Sequence, residues 1–220
     1  INADAYDIYK LPNKAATAKF AVSYNGNSSS KNWIPKSKKA KFYVTDDDAV
    51  SPWDASADSV YFASKVKVTN GKITVAKDFD LTRANKTFQV WAVADDYAGN
   101  TERISKNFTV TSNKMELGEV VITDSSNRIL SRGGSNISAD DLTGKYVKIL
   151  YPNVQLKNVY NNKDFMPTEN IVFTASNKNI KINKNGYISG AVAAKNVTIT
   201  ATVADGSKVA AKLTKLTVTP

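Results

Sequence analysis

Val197-Thr198-Ile199-Thr200-Ala201-Thr202-Val203 alternates apolar and hydroxyl-bearing residues without a break. Successive side chains of an extended strand point to opposite faces, so this stretch places Val, Ile, Ala and Val on one side and three threonines on the other. Only a sheet with one buried and one wetted face has use for that pattern. Downstream, Lys208 to Thr219 forms a partner strand in which Leu213 falls on one parity and Leu216 and Val218 on the other. Both sets reach the core only if an extra residue enters near Thr214 and Lys215, so the spacing predicts a β-bulge there.

The same grammar extends over the whole chain. Upstream runs at Glu119 to Thr123, Lys145 to Tyr151, Val154 to Val159, Asn170 to Ala175, Ile180 to Asn183 and Gly186 to Ser189 read as strands. In the first half the strand runs are Lys19 to Tyr24, Lys41 to Thr45, Ser59 to Thr69, Lys72 to Phe79, Thr87 to Ala94 and Arg103 to Thr111. Asn70-Gly71 separates Val66 to Thr69 from Lys72 to Val75, the pair that a type I′ hairpin requires because both central residues take positive φ. Helical turns are expected only at Ser51 to Ser56 and Ser138 to Leu142, where a serine can cap the first turn. The class is all-β.

Three short matches recur in the same order: Asn-Gly-x-Ile at 70 and 185, Val-Ala-Asp at 93 and 203, and Thr-Val-Thr at 109 and 217. Offsets near 110 residues describe two copies of one plan, and alternation stops at Thr111 to Met115. Two domains are therefore expected, residues 1–113 with an N-terminal extension and residues 114–220.

Composition narrows the chemistry. The 220 residues contain no His and no Cys, which excludes His-based triads, thiolate nucleophiles, His- or Cys-ligated metals and disulfides. Carboxylate pairs, Ser/Lys chemistry and oxygen-ligated cations survive. The four glutamates, Glu102, Glu116, Glu119 and Glu169, are scattered, and Ser28-x-x-Lys31 and Ser64-x-x-Lys67 lie in a loop and a strand run rather than on a helix. No enzyme activity and no cofactor are expected.

Phe173 to Gly190 followed by Val197 to Ser207, with its Ser-Asn strand end, Asn-Gly turn, second Gly, Ile-Thr-Ala-Thr strand and Asp-Gly-Ser hairpin, resembles the bacterial immunoglobulin-like group 2 domain. The likeness covers Asn170 to Thr219, with Ala193-Ala194-Lys195 standing where that family commonly has a further small residue or Gly. In the first half Ala94-Asp95-Asp96-Tyr97-Ala98-Gly99-Asn100 is similar to the turn joining the last two strands of bacterial Ig-like and fibronectin-like repeats. The resemblance implies two tandem immunoglobulin-like β-sandwiches acting as a structural or adhesive module of an exported bacterial surface or wall-associated protein. A carbohydrate-binding accessory unit of a secreted glycan-degrading enzyme is the alternative.

Candidate ligand-binding residues are the three tryptophans. If Phe88, Val90, Ala92 and Ala94 face the core, Trp91 lies outward as a platform for a sugar or partner, or is covered by the N-terminal segment or a neighbouring domain. Trp33 and Trp53 fall in loops, where an aromatic stacks on a sugar or, as expected here, plugs an open end of a sandwich. Asp46-Asp47-Asp48 with Asp54, Asp58, Asp95 and Asp96 offers hard oxygen ligands. The count of reversals puts the two loops at opposite poles, which favours a solvated acidic loop over a metal site.

Lys and Arg number 30 against 20 Asp and Glu, a net +10. The excess is shared between the halves, and the cluster Lys36, Lys38, Lys39 and Lys41 has no interleaved aromatic, so nucleic acid is set aside. A cell-surface protein or glycan is the expected partner, with an anionic wall polymer drawn by charge. No run is long and apolar enough to span a membrane. The start at Ile1, without a leader, suggests a processed piece whose signal and anchor lie elsewhere.

Overall fold

The computed structural model describes residues 6–20, 22, 40–95, 100–155 and 162–220. The chain divides into two compact units, Ile1–Lys114 and Met115–Pro220. Each has its own apolar core.

Unit 1 is built from β1 (Tyr6–Tyr9), β2 (Ala16–Lys19), β3 (Lys41–Asp46), α1 (Ala57–Lys65), β4 (Val66–Thr69), β5 (Lys72–Val75), β6 (Thr87–Asp95) and β7 (Thr101–Thr111). One sheet runs β1-β7-β6-β3 and the other β2-β5-β4. Phe88, Val90, Phe108 and Val110 from the first meet Val66, Ile73 and Val75 from the second in one core. Rings tie the first sheet together and to α1: Phe88 stacks on Phe108 at 5.8 Å, and Phe62 of α1 lies 5.8 Å from Phe88. Gly71 (φ 82°) and Asn70 (φ 50°) close the β4–β5 hairpin with both central residues left-handed.

Ser59 to Thr69, expected as one strand, is helix as far as Lys65 and strand only from Val66. Ser56 caps the helix by accepting the Ser59 N–H, Asp58 sits in the first turn and Lys65 in the last. Ser59 and Phe62, the buried residues of the helix, stand three apart, a helical spacing that puts both on one face. Capping and that spacing prevail over the β-branched content of the run. Ser51 to Ser56, expected as a helical turn, is instead the non-helical lead-in that ends on the cap.

Unit 2 comprises β8 (Val120–Thr123), β9 (Ile129–Ser131), β10 (Asn136–Ser138), α2 (Ala139–Leu142), β11 (Tyr146–Ile149), β12 (Ile171–Ala175), β13 (Lys181–Ile182), β14 (Ile188–Gly190), β15 (Ala194–Val203) and β16 (Ala210–Thr219). A four-stranded sheet β10-β16-β15-β12 faces the three-stranded β11-β8-β9, with β13-β14 as a separate hairpin. Val197, Ile199, Ala201 and Val203 are at most 2% exposed, whereas the threonines between them are half-buried. Burial on this scale stabilises by roughly 1.5–3 kcal/mol for each fully covered Val or Ile. The expected bulge is present. Ile199 pairs with Leu213 and Val197 with Leu216, and Lys215 takes φ 55° between them. A compensating bulge on β15, at Asn196 with φ 54°, restores the register so that Ala194 meets Val218. Ser138 caps α2 by accepting the Asp141 N–H.

Each unit ends on a strand that also pairs in parallel with a short earlier strand: β7 with β1 and β16 with β10. Neither β1 nor β10 was expected from the sequence, nor was β9. Val154 and Gln155 are not strand, and the rest of that expected strand lies outside the described residues; of the expected strand Lys19 to Tyr24 only Lys19, the end of β2, is strand, Phe20 and Val22 are not, and residues 21, 23 and 24 lie outside the described residues. The Asp96 to Gly99 turn, Ser28, Lys31 and Lys36 to Lys39 do so too.

Candidate functional site

The first sheet of unit 1 is buried on one face by Phe88, Val90 and Ala92; the other parity carries Gln89, Trp91 and Val93. The register lines up three rows on this outer face: Thr45, Gln89 and Asn107; Tyr43, Trp91 and Ser105; Lys41, Val93 and Arg103. Trp91 is outward-facing, as its parity requires, yet only 8% exposed. Its indole N–H donates to the Thr45 hydroxyl at 2.8 Å. Trp91 therefore offers no open ring face, and the platform reading of this residue is corrected.

The cover comes from the loop after β3. Pro52 is buried and the Gln89 side-chain amide donates to the Ala49 carbonyl at 3.0 Å, which pins the loop to β6. Trp53 then meets Tyr43 of β3 edge-on at 5.9 Å, with the Arg103 guanidinium of β7 6.0 Å from its centroid. Tyr43 and Arg103 flank β6, so the Trp53 ring spans the strand that carries Trp91. It remains 58% exposed. Trp53 was expected to plug an end of the sandwich; its ring lies instead against Tyr43 and Arg103 on the sheet's outer face. Trp33 lies outside the described residues.

A polar network braces the root of this loop. Ser59 Oγ accepts the Asp46 N–H at 2.8 Å and donates to Asp54 Oδ2 at 2.6 Å. Hydrogen bonds from the Ser56 side chain, then from the Ser59 hydroxyl, hold the Asp54 carboxyl below its usual range. The Asn85 amide bridges Asp46 at 2.8 Å and Asp47 at 3.0 Å. Burial first, then a proton shared with Asp47, pushes the Asp46 carboxyl up to about 6. Asp58 pairs with Arg83 at 2.7 Å, and Arg83 lies 3.8 Å over the Tyr61 ring.

These carboxylates do not converge. Asp46 pairs with Phe88 at one end of β6, whereas Asp95, which accepts from Thr101, closes the other end. Among the described residues no three acidic side chains gather into a metal-binding group. Asp96 lies outside them.

Tyr43, Lys41 and Arg103 are the residues that sequence reasoning missed. The signal was present: once Trp91 is assigned outward, antiparallel pairing assigns its neighbours on both strands to the same face.

No protein-family model and no curated protein matches the sequence. Among solved structures, the chain is similar to Sidekick-1 immunoglobulin domains 1–4 (12% identity, TM-score 0.26, 99% of this chain and 50% of that one). It is similar to protocadherin gamma B2 extracellular cadherin domains 3–6 (13%, TM-score 0.27, 98% and 46%). A third is the D00-D0 domain of intimin (12%, TM-score 0.25, 96% of each chain). The chain thus spans about half the length of the first two. The all-β, immunoglobulin-like sandwich assignment stands on this chain's own paired sheets and cores.

Proposed function

We propose that this chain is a non-enzymatic adhesive module of an exported bacterial surface or wall-associated protein, and that the Trp53, Tyr43 and Arg103 surface is what unit 1 offers its ligand. Unit 1 is an Ig-like sandwich and unit 2 a group 2 Ig-like sandwich on this reading. The observation that carries it is an exposed indole held between an aromatic edge and a guanidinium on the outer face of a stiff sheet. Indoles left open at a surface serve recognition because they combine large apolar area with few rotatable bonds. The polar groups beside it are engaged in holding the loop, which suits presentation of a surface more than turnover of a substrate.

The same open ring also fits a carbohydrate-binding accessory unit, since a pyranose stacks on an indole face. A glycan array and a cell-adhesion assay, run on the wild type, Trp53→Ala and Arg103→Ala, test both. Loss of cell or glycan binding in Trp53→Ala, with unchanged melting temperature, is expected. Wild-type binding by both variants would refute the assignment of this surface.

A further inference from the structure

We propose that unit 2 carries a second, separate binding site, for a polyanionic carbohydrate polymer, in the groove between β12 and the β13–β14 hairpin. The groove is open and encloses about 320 Å³. Phe173, Ile180 and Ile182 form its apolar floor, and Thr174, Lys178 and Lys181 stand on its rim. Both rim lysines are exposed, as is Lys184 in the same hairpin.

Three observations select the ligand class. First, charge is segregated: between Glu169 and Asp205 the sequence has four lysines, Lys178, Lys181, Lys184 and Lys195, and no acidic residue. Mixed-sign surfaces solvate a fold without attracting anything, whereas one-signed ones concentrate counter-ions. Second, none of these four ammonium groups forms an ion pair among the described residues, where the pairs are Lys65–Asp78, Arg83–Asp58 and Arg132–Glu119. Their charge is therefore available to a ligand. Third, the groove does not end at Thr174. Thr174 pairs with Thr200, which pairs with Lys212, so the rim continues onto the outer face of the β12-β15-β16 sheet. That face carries hydroxyls at Thr198, Thr200 and Thr202.

Cations at either end of a hydroxyl-lined track suit a long chain with repeated negative charges and many hydroxyls of its own. A small anion would need only one end. A nucleic acid would need stacking rings along the track, and the rim has none. This site shares no residue with the Trp53 surface, so either can fail without the other.

The test uses the 220-residue chain and an immobilised sulfated polysaccharide, with neutral dextran and poly-glutamate as comparison matrices, over a salt series. Wild type is expected to bind the sulfated polysaccharide, to ignore dextran, and to bind poly-glutamate at least tenfold more weakly. Lys178→Gln with Lys181→Gln should weaken binding about tenfold at 0.1 M salt and reduce the slope of log affinity against log salt by about 1.4, at ~0.7 per lost cation contact. Lys67→Gln with Lys72→Gln, an equal charge change on exposed strand positions of unit 1, should alter neither by as much as a third of that. Equal weakening by the two double variants, equal retention on poly-glutamate, or no binding of wild type at low salt would each overturn the proposal.

Discussion

Gly186→Ala tests whether the β13–β14 hairpin of unit 2 meets β11 through backbone rather than side chains. Gly186 has φ +79°, and a Cβ built there lies 2.2 Å from the Val147 carbonyl oxygen. That oxygen belongs to β11, and the Val147 N–H donates to the Gly186 carbonyl at 2.7 Å. The neighbouring Ile188 N–H donates to Lys145 at 2.8 Å, so the turn is laced to β11 on both sides. Left-handed backbone costs an L-residue roughly 1–2 kcal/mol. The contact must open by about 1 Å to become tolerable, which breaks a buried backbone hydrogen bond and leaves its donor unpaired, a further ~1–3 kcal/mol. The expected total is about 2–5 kcal/mol. Gly144→Ala separates the two contributions: its φ is +86° but nothing lies within 4 Å of the added Cβ, so only the conformational ~1–2 kcal/mol applies. Urea unfolding followed by circular dichroism measures both. Equal destabilisation by the two substitutions would refute the close-approach argument.

Asp46 makes the stability of unit 1 depend on pH. Its folded value of about 6 lies above its ordinary 3.8, so its contribution is fully present below pH ~4 and lost as the pH rises through ~6. Asp46→Asn should therefore be more stable than wild type above pH 6, by about 1 kcal/mol after solvent screening, with the gap closing by pH 4; a pH-independent gap in thermal melts would contradict the shared-proton geometry. Asp54 and Asp80, both held low by serine or threonine hydrogen bonds, act oppositely, and their contribution disappears as the pH falls below 4. Thr45→Val strands the buried Trp91 N–H and should cost about 1–3 kcal/mol with a change in Trp91 emission, whereas no loss would mean that the indole finds another acceptor. Ser56→Ala removes the α1 cap and should cost about 1 kcal/mol in denaturant unfolding. An unchanged midpoint would show that Asp54 alone can order the helix start.

What the sequence made legible depended on how local the deciding interaction is. The β15 face, the bulge at Lys215 and the Asn70-Gly71 hairpin follow from parity and φ, which neighbouring residues determine. The start of α2 at Ser138 is equally local. By contrast β1 and β10 are three or four residues long and pair in parallel with strands about 100 and 80 positions away; no local pattern announces such partners. The α1 segment failed for a different reason. Its Val60 and Phe62 suit either state, and the choice falls to a serine cap and to Phe62 reaching Phe79 and Phe88. The Trp53 surface was half legible: the outward parity of Trp91 was right, but its cover depends on Pro52 and on the Gln89 to Ala49 bond, contacts that span some 40 residues.

The Trp53 surface lies on the face of a sheet opposite the core, and the groove in unit 2, although its floor is made of core residues, presents its charge on exposed rim lysines; this placement has an energetic consequence. On β6 and β15 alternate residues are committed to burial, so the residues between them can change at little cost to folding. Trp53, Lys178 and Lys181 are exposed, and removing them leaves no cavity and strands no buried polar group. Binding and stability are therefore separable in this chain, unlike in a protein whose site is a cleft cut into its core. A ligand surface of this kind can be redrawn from one relative to the next while the inward parity stays fixed, and losses of binding in these variants can be read as lost contacts rather than lost structure.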